Sequence, residues 1–269
     1  MSLEKNNDGH PQVKAEIEID ATPEAVWQAI ASLQGMKAWF MGMECDFEGK
    51  VGGKVTTKMG GQVIGQADIE AWDPPHKLVT RNPDPFGPGT PAMGYEWTIE
   101  AQDSGKCVLR MVQTLFSNDS AWEGQVGDTT EGWPAFFHVL RNYVERHSEQ
   151  ESGLAMAMGP AASNDRDDAF AKLTEAMGLG DLTEGATVTC NAEGAPAFSG
   201  TVEAVAGGRA KRVMIRLEQP CPGTGWIGVA PMGGNLTAVL SLYYYGAGAA
   251  EAGARDGGQL NAWLQGAGA

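Results

Sequence analysis

The side chains of this 269-residue chain that could hold a metal or move a proton are few and scattered. No two of its histidines, His10, His76, His138 and His147, stand at the i, i+4 spacing that places paired ligands on one helix face. The cysteines, Cys45, Cys107, Cys190 and Cys221, form neither a CxxC nor a Cys/His pattern, and read as small buried hydrophobes. No metal and no cofactor is expected. His138 lies beside the apolar stripe of a helix and could act as a general acid inside a cavity; read alone it is a partly exposed helix residue without a role. There is no GxSxG, no HExxH, no P-loop and no GxGxxG opening a helix after a strand, so no catalytic residue is assigned. The clustered Gly52, Gly53, Gly60 and Gly61 read as turns rather than as a phosphate cradle.

Charged residues inside strand-like runs are sorted by parity. If Tyr95, Trp97 and Ile99 face inward, Glu96 and Glu100 face solvent. Arg110 shares parity with Val108 and Val112 and could point either way; buried among aromatics it would need a partner and would mark an anionic ligand.

The apolar side chains carry more information. Trp27, Trp39, Phe40, Met43, Trp72, Met93, Tyr95, Trp97, Met111, Trp133, Phe137 and Leu140 are the candidate ligand-binding residues. Tryptophan and methionine line adaptable pockets, and they fill ordinary cores equally well, so the elements that carry them decide the matter.

Those elements follow one another in a definite order. "VKAEIEID" alternates Val13, Ala15, Ile17 and Ile19 against charged residues, the mark of a half-buried strand. In "ATPEAVWQAIASLQGMKAWFMG", Thr22 precedes Pro23 at a helix start, and the helical pattern breaks near Gly35 and ends at "WFMG". Strand-like runs occupy 43–48, 54–59, 62–72, 77–81, 95–101 and 106–115, punctuated by "GKVGG", "GG", "DPPH", "NPDPFGPGTP" and "DSG". "GWPAFFHVLRNYVERH" then places Trp133, Phe136, Phe137, Leu140, Tyr143, Val144 and His147 on one face of a helix over 132–147. Antiparallel strands with one apolar face need a cover, and this is the long amphipathic element available. The expected fold is α+β: a curved antiparallel sheet wrapped around a long closing helix.

The segments "ATPEAVWQAI", "WFMG", "AWDPPHKLV" and "GWPAFFHVLRNYV", in that order and spacing, resemble the SRPBCC superfamily, the START or Bet v 1-like helix-grip fold. Within it they resemble the branch named for the activator of Hsp 90 ATPase homologues, over residues 13 to about 148. The resemblance implies a cavity between sheet and helix. Because catalytic residues are not fixed in this superfamily, it carries no activity with it. The leading expectation is non-catalytic binding of a small apolar or aromatic molecule in that cavity. One alternative is cyclase, aromatase or hydrolase-like chemistry there, which predicts an inward titratable group. The other is a chaperone- or protein-binding module, which predicts an exposed apolar patch.

Residues 1–12 are expected to be a disordered N-terminus, 13–150 the helix-grip domain, 151–162 a small-residue linker, and 163–269 a second, smaller α+β domain. In that second domain Ser163 is the expected cap of a helix in "DRDDAFAKLTEAMG". Strands are expected at 187–190, 198–206, 212–218, 226–230 and 236–245 before a closing helix with Leu260, Trp263 and Leu264. "GKVTTKMGGQVIGQADIEAW" and "GATVTCNAEGAPAFSGTVEAV" form a weak repeat. The second domain is therefore either a shortened helix-grip repeat lacking its first strand or an unrelated α+β domain. Tyr243, Tyr244 and Tyr245 are consecutive in a strand, so at least one must leave the local core, and an interface between domains or subunits would use it.

With 19 Lys plus Arg against 34 Asp plus Glu, the net charge is −15, which disfavours a grip on nucleic acid or anionic lipid. No run is long and apolar enough to span a bilayer and no signal peptide is evident, so a cytoplasmic protein is expected, with a homodimer or a protein partner open.

Overall fold

Alternation along residues 11–19 becomes a strand with Val13, Ala15 and Ile19 buried and Lys14, Glu16 and Glu18 exposed. The structure is a computed structural model and describes residues 2–267. It divides into two units, Met1–Ser148 and Glu149–Ala269, each built on its own antiparallel sheet.

The first unit runs β1 (Ser2–Lys5), β2 (Pro11–Ile19), α1 (Pro23–Ala31), α2 (Leu33–Trp39), β3 (Glu44–Phe47), β4 (Lys54–Met59), β5 (Gln62–Asp73), β6 (Lys77–Asn82), β7 (Met93–Ala101), β8 (Cys107–Leu115) and α3 (Glu123–His147). Its eight strands lie in the order β1-β2-β8-β7-β6-β5-β4-β3. The opening long strand β2 thus pairs with the last strand, β8, and the rest form a meander.

Within the segment expected to be disordered, residues 2–12 are ordered. Ser2–Lys5 pairs with 11–14, and the turn between them is built by Asn6, whose side-chain oxygen accepts the N–H groups of Asp8 at 3.0 Å and His10 at 2.9 Å. Gly9 supplies the left-handed residue at φ 83°.

Thr22 caps α1 as expected, accepting the N–H of Ala25 at 3.4 Å, with Pro23 in the first turn. The break between helices falls at Ser32, whose hydroxyl caps α2 through the N–H of Gly35 at 3.0 Å. Gly35 is not the breaker. It lies inside α2, where a Cβ would sit 2.2 Å from the carbonyl of Gln28, so its role is to let two helices meet backbone to backbone. "WFMG" closes α2 through consecutive left-handed residues, Met41 at φ 54° and Gly42 at φ 67°.

The closing helix α3 is 25 residues long, beginning nine residues before the expected 132 with Pro134 inside it. The missing N–H of Pro134 is tolerated within a helix anchored by its apolar face. Trp133, Phe137 and Leu140 are buried at 4%, 4% and 0% exposure, and the Trp133 and Phe137 rings meet Trp97 of β7 at 5.7 and 6.3 Å. The helix grips the sheet through the face read from its spacing.

The second unit runs β9 (Ser152–Pro160), α4 (Arg166–Ala176), β10 (Thr187–Cys190), β11 (Phe198–Ala206), β12 (Lys211–Gln219), β13 (Gly223–Met232), β14 (Asn235–Tyr245) and α5 (Ala249–Ala267), with strand order β10-β11-β12-β13-β14-β9. The expected linker at 151–162 is therefore mostly the strand β9, paired with β14 from Ser152↔Tyr245 to Pro160↔Thr237. Ala155 and Ala157 are its buried positions. With methyl groups on the inner face, the alternation has too little hydrophobic contrast to read as a strand.

Strand β9 also settles the repeat's topology. Both units run strand, helix, meander, helix, and in both the first long strand pairs with the last of the meander. The second unit does not lack its first strand. It is one strand shorter at the far edge, where β3 has no counterpart once the quoted repeat aligns β4 and β5 with β10 and β11.

Two smaller expectations change. Asp165, not Ser163, caps α4, its carboxylate accepting the N–H of Asp168 at 2.8 Å; Ser163 accepts the N–H of Asp165 at 3.2 Å, one turn earlier. All three consecutive tyrosines are buried, because both faces of β14 carry buried side chains; Tyr244 belongs to the core under α4 and α5 and donates to Asp256 at 2.8 Å.

The two closing helices meet their sheets differently. A Cβ on Gly153 of β9 would lie 1.9 Å from the carbonyl of Ala249, and one on Gly253 of α5 would lie 2.5 Å from the amide of Leu154. Helix α5 thus rests on β9 backbone to backbone, whereas α3 is held off its sheet by indole and phenyl rings.

Candidate functional site

A cavity of about 300 Å³ opens in the first unit among α1, α2, α3 and the inner face of β3 to β7. That is the lower end of the roughly 300–1,000 Å³ usual for ligand pockets. Alternation decides which strand residues reach it: Val55 and Thr57 from β4, Leu78, Thr80 and Asn82 from β6, and Met93, Tyr95 and Trp97 from β7.

Trp133 organises one wall. Its ring stacks on Phe40 at 5.7 Å and 10°, and meets Tyr95 at 6.1 Å, Trp97 at 5.7 Å, Phe136 at 5.9 Å and Phe137 at 5.8 Å. Its buried indole N–H donates to Oε1 of Gln113 at 2.8 Å, and Gln113 itself is fully buried on β8. Trp39 packs on Phe40 and Trp97, and its own N–H donates to the carbonyl of Ala29 at 2.9 Å. Each of these two indoles has its one donor satisfied within the protein, so neither N–H calls for a ligand acceptor.

Of the residues chosen from the sequence, Trp39, Phe40, Met43, Met93, Tyr95, Trp97 and Trp133 line the cavity. Five others do not. Trp27 and Trp72 pair edge to face at 5.0 Å beside Phe47, outside the wall. Met111 and Leu140 are fully buried core residues, and Phe137 is wedged between Trp97 and Trp133. Their residue types match the wall, and residue type alone did not separate them from it.

Cys45, Thr57, Thr80 and Asn82 on the wall, and Ile64 and Phe86 at its exposed side, were not singled out from the sequence. Strand parity with Val55 and Leu78 was the available signal for Thr57 and Thr80. Phe86 belongs to "NPDPFGPGTP" and stacks on Trp122, at the end of a short 3-10 turn before α3, at 5.9 Å and 15°, a contact that periodicity cannot reveal.

The wall is electrically neutral. Among the described residues, no Asp, Glu, Lys, Arg or His lines the cavity. Its titratable groups are Cys45, whose thiol is pushed up by burial against the opposing contact with Thr57, and Tyr95, whose phenol burial pushes up to about 12. Both stay protonated at neutral pH. Arg110 points to the outer face, paired with Glu16 at 3.1 Å and with Glu100, so it marks no anionic ligand. Glu96 faces outward too, paired with Lys77 at 2.7 Å. His138 lies in a separate open groove of about 300 Å³ with Glu16 and Arg141, between β2 and α3.

Among the described residues there is no cluster of His, Cys, Asp or Glu able to hold a metal ion, and no helix is long and apolar enough to cross a membrane.

Comparison with known proteins places this geometry. The family model described as "Activator of Hsp90 ATPase homolog 1-like protein" matches residues 20–145. No curated protein matches the chain. Similar solved structures include MLL2253 from Mesorhizobium loti, at 24% identity over 50% of this chain and 97% of that one, TM-score 0.44. CalU16 from Micromonospora echinospora is similar at 18% identity over 53% of this chain and 80% of its own, TM-score 0.41. DynU16, from the dynemicin biosynthetic locus, is similar at 16% identity over 86% of both chains, TM-score 0.42. Residues 20–145, the body of the first unit, are thus similar to the activator of Hsp90 ATPase homolog 1-like family.

Proposed function

We propose that the first unit binds a small, uncharged, mainly apolar molecule in the cavity between its sheet and α1 to α3, without carrying out chemistry on it. One observation carries the reading: a void of about 300 Å³ walled by Trp39, Phe40, Trp97 and Trp133 and free, among the described residues, of any formal charge. A concave, mostly apolar pocket of this size, lined by aromatic side chains, matches the usual form of a small-molecule site. An ionised ligand would lose its hydration there with no opposite charge in return. Acid or base catalysis needs a group titrating near the working pH, and both titratable wall groups are pushed the other way.

The family's name points to a chaperone. The apolar side chains that a partner would meet beside the cavity, Ile64 and Phe86, double as its rim, which favours traffic of a small molecule. Native mass spectrometry of the purified full chain, with titration of tryptophan fluorescence by uncharged polycyclic probes, tests the reading. A bound mass or saturable quenching is expected. No quenching by any apolar probe, with the protein folded, would remove the reading.

A further inference from the structure

Two hydrogen-bond donors of the first sheet converge on one weak acceptor. Tyr95 of β7 and Gln113 of β8 are direct cross-strand partners, and the Tyr95 hydroxyl and the Gln113 amide nitrogen each lie 3.2 Å from the Sδ of Met93. A thioether accepts hydrogen bonds poorly. Gln113 is fully buried and its oxygen already accepts from Trp133, whereas Tyr95 and Met93 both line the cavity. Thr80 stands opposite Tyr95 on the other side, so Thr80, Tyr95 and Gln113 form a polar row across three strands of the concave face.

We infer that the Tyr95 hydroxyl is the polar contact that selects the ligand, and that the ligand is a neutral fused-ring aromatic bearing a carbonyl oxygen, to which Tyr95 donates in place of the Met93 sulfur. The inference rests on the cavity being a ligand site and adds what the ligand carries. The rings of Trp39, Phe40, Trp97 and Trp133 fit a flat aromatic body. Oxygen is the better acceptor, and Met93, unbranched and flexible, can yield its place. A carboxylate is excluded by the absence, among the described residues, of a cation on the wall. Burial that keeps the phenol protonated well above neutrality keeps it a donor.

The test compares acetylnaphthalene with isopropenylnaphthalene, its shape-matched hydrocarbon, on the full-length protein, the Tyr95→Phe variant and the Met93→Leu variant. Taking the ratio of the two affinities within each protein, and comparing ratios between proteins, cancels the difference in hydration of the probes. Tyr95→Phe is expected to lower the preference for the ketone about three- to tenfold, the span of one neutral hydrogen bond, while hydrocarbon binding persists. Met93→Leu, which removes the competing acceptor, is expected to raise it. The infrared carbonyl stretch of the bound ketone should move to lower frequency in the wild type and recover in Tyr95→Phe, a change that loss of packing alone would not produce. Unchanged preference and an unshifted stretch, with both probes bound, would overturn the role of Tyr95 alone. If neither probe binds the folded wild type, the ligand-site reading falls with it.

Discussion

Phe137 and Phe40 show how much depends on which side of one indole a ring lies. Both contact Trp133, at 5.8 and 5.7 Å, yet Phe40 borders the cavity, whereas Phe137, 4% exposed, packs on Trp97 as well and backs onto the separate groove with His138. Phe137→Ala should therefore cost about 3–5 kcal/mol in chemical denaturation, as for a packed core ring. Phe40→Ala enlarges a space that already exists, so it should cost less in stability and weaken apolar probes more. Equal stability losses for the two would mean that the cavity closes in solution. The wall tyrosine carries a prediction in alkali. The Tyr95 phenol is raised from 10.0 to about 12 by burial, and Tyr244 is raised in the same direction by burial and by its bond to Asp256. The unfolded chain ionises these phenols near pH 10 while the folded protein keeps them protonated, so stability is intact below pH 10 and falls as pH rises towards 12. The urea midpoint should drop across that window, and less steeply in Tyr95→Phe.

Helices α3 and α5 close the two units in the same place in the chain order, and they hold opposite packing arrangements. Where α3 stands off on aromatic rings, α5 sits on β9 through Gly153 and Gly253. Gly153→Ala would drive a methyl against the Ala249 carbonyl, 1.9 Å away, and should cost about 1–3 kcal/mol or more. Gly258, in the same helix with nothing within 4 Å of a Cβ, should respond oppositely: Gly258→Ala should stabilise by about 0.4–1 kcal/mol. Thermal unfolding of the two variants checks the pair of signs. The same contrast explains what was legible beforehand. Strand β2 alternates apolar with charged residues, so its existence and inward face could be read directly, and β4 to β8 could be read as strands from their apolar runs and the turns between them. Strand β9 presents glycine and alanine to its helix, and its defining property is how closely backbone can approach, which side-chain periodicity does not record. The site divides likewise. Trp39, Tyr95, Trp97 and Trp133 were legible as an aromatic set, but Met111 and Leu140, equally apolar, are fully buried in the core and off the wall, a difference set by how separate elements pack. Tyr95 was read for its ring; the use of its hydroxyl depends on Met93 and Gln113 arriving from sequence positions 2 and 18 away, through cross-strand register.

At the scale of the whole chain the same strand-helix-meander-helix order is laid down twice, first around a void and then around a core that includes Phe170, Leu173, Leu240, Leu242 and Leu260. The outer surface and the cavity also differ in charge. The chain carries −15 overall, while, among the described residues, the cavity wall carries none. The charge and the neutrality act at different stages of an encounter. An acidic exterior slows the approach of an anion at low ionic strength and is screened over about 10 Å at 0.1 M salt. A neutral aromatic ketone feels no such field. Its association rate, followed by stopped-flow quenching of tryptophan, should stay flat as salt is raised, while any residual binding of a matched aromatic carboxylate should speed up. A rate for the ketone that rises or falls steeply with salt would show that a charged group governs entry. The uncharged wall therefore makes the time a ligand takes to arrive a matter of diffusion and of the rim at Ile64 and Phe86, and leaves selection to how long it stays.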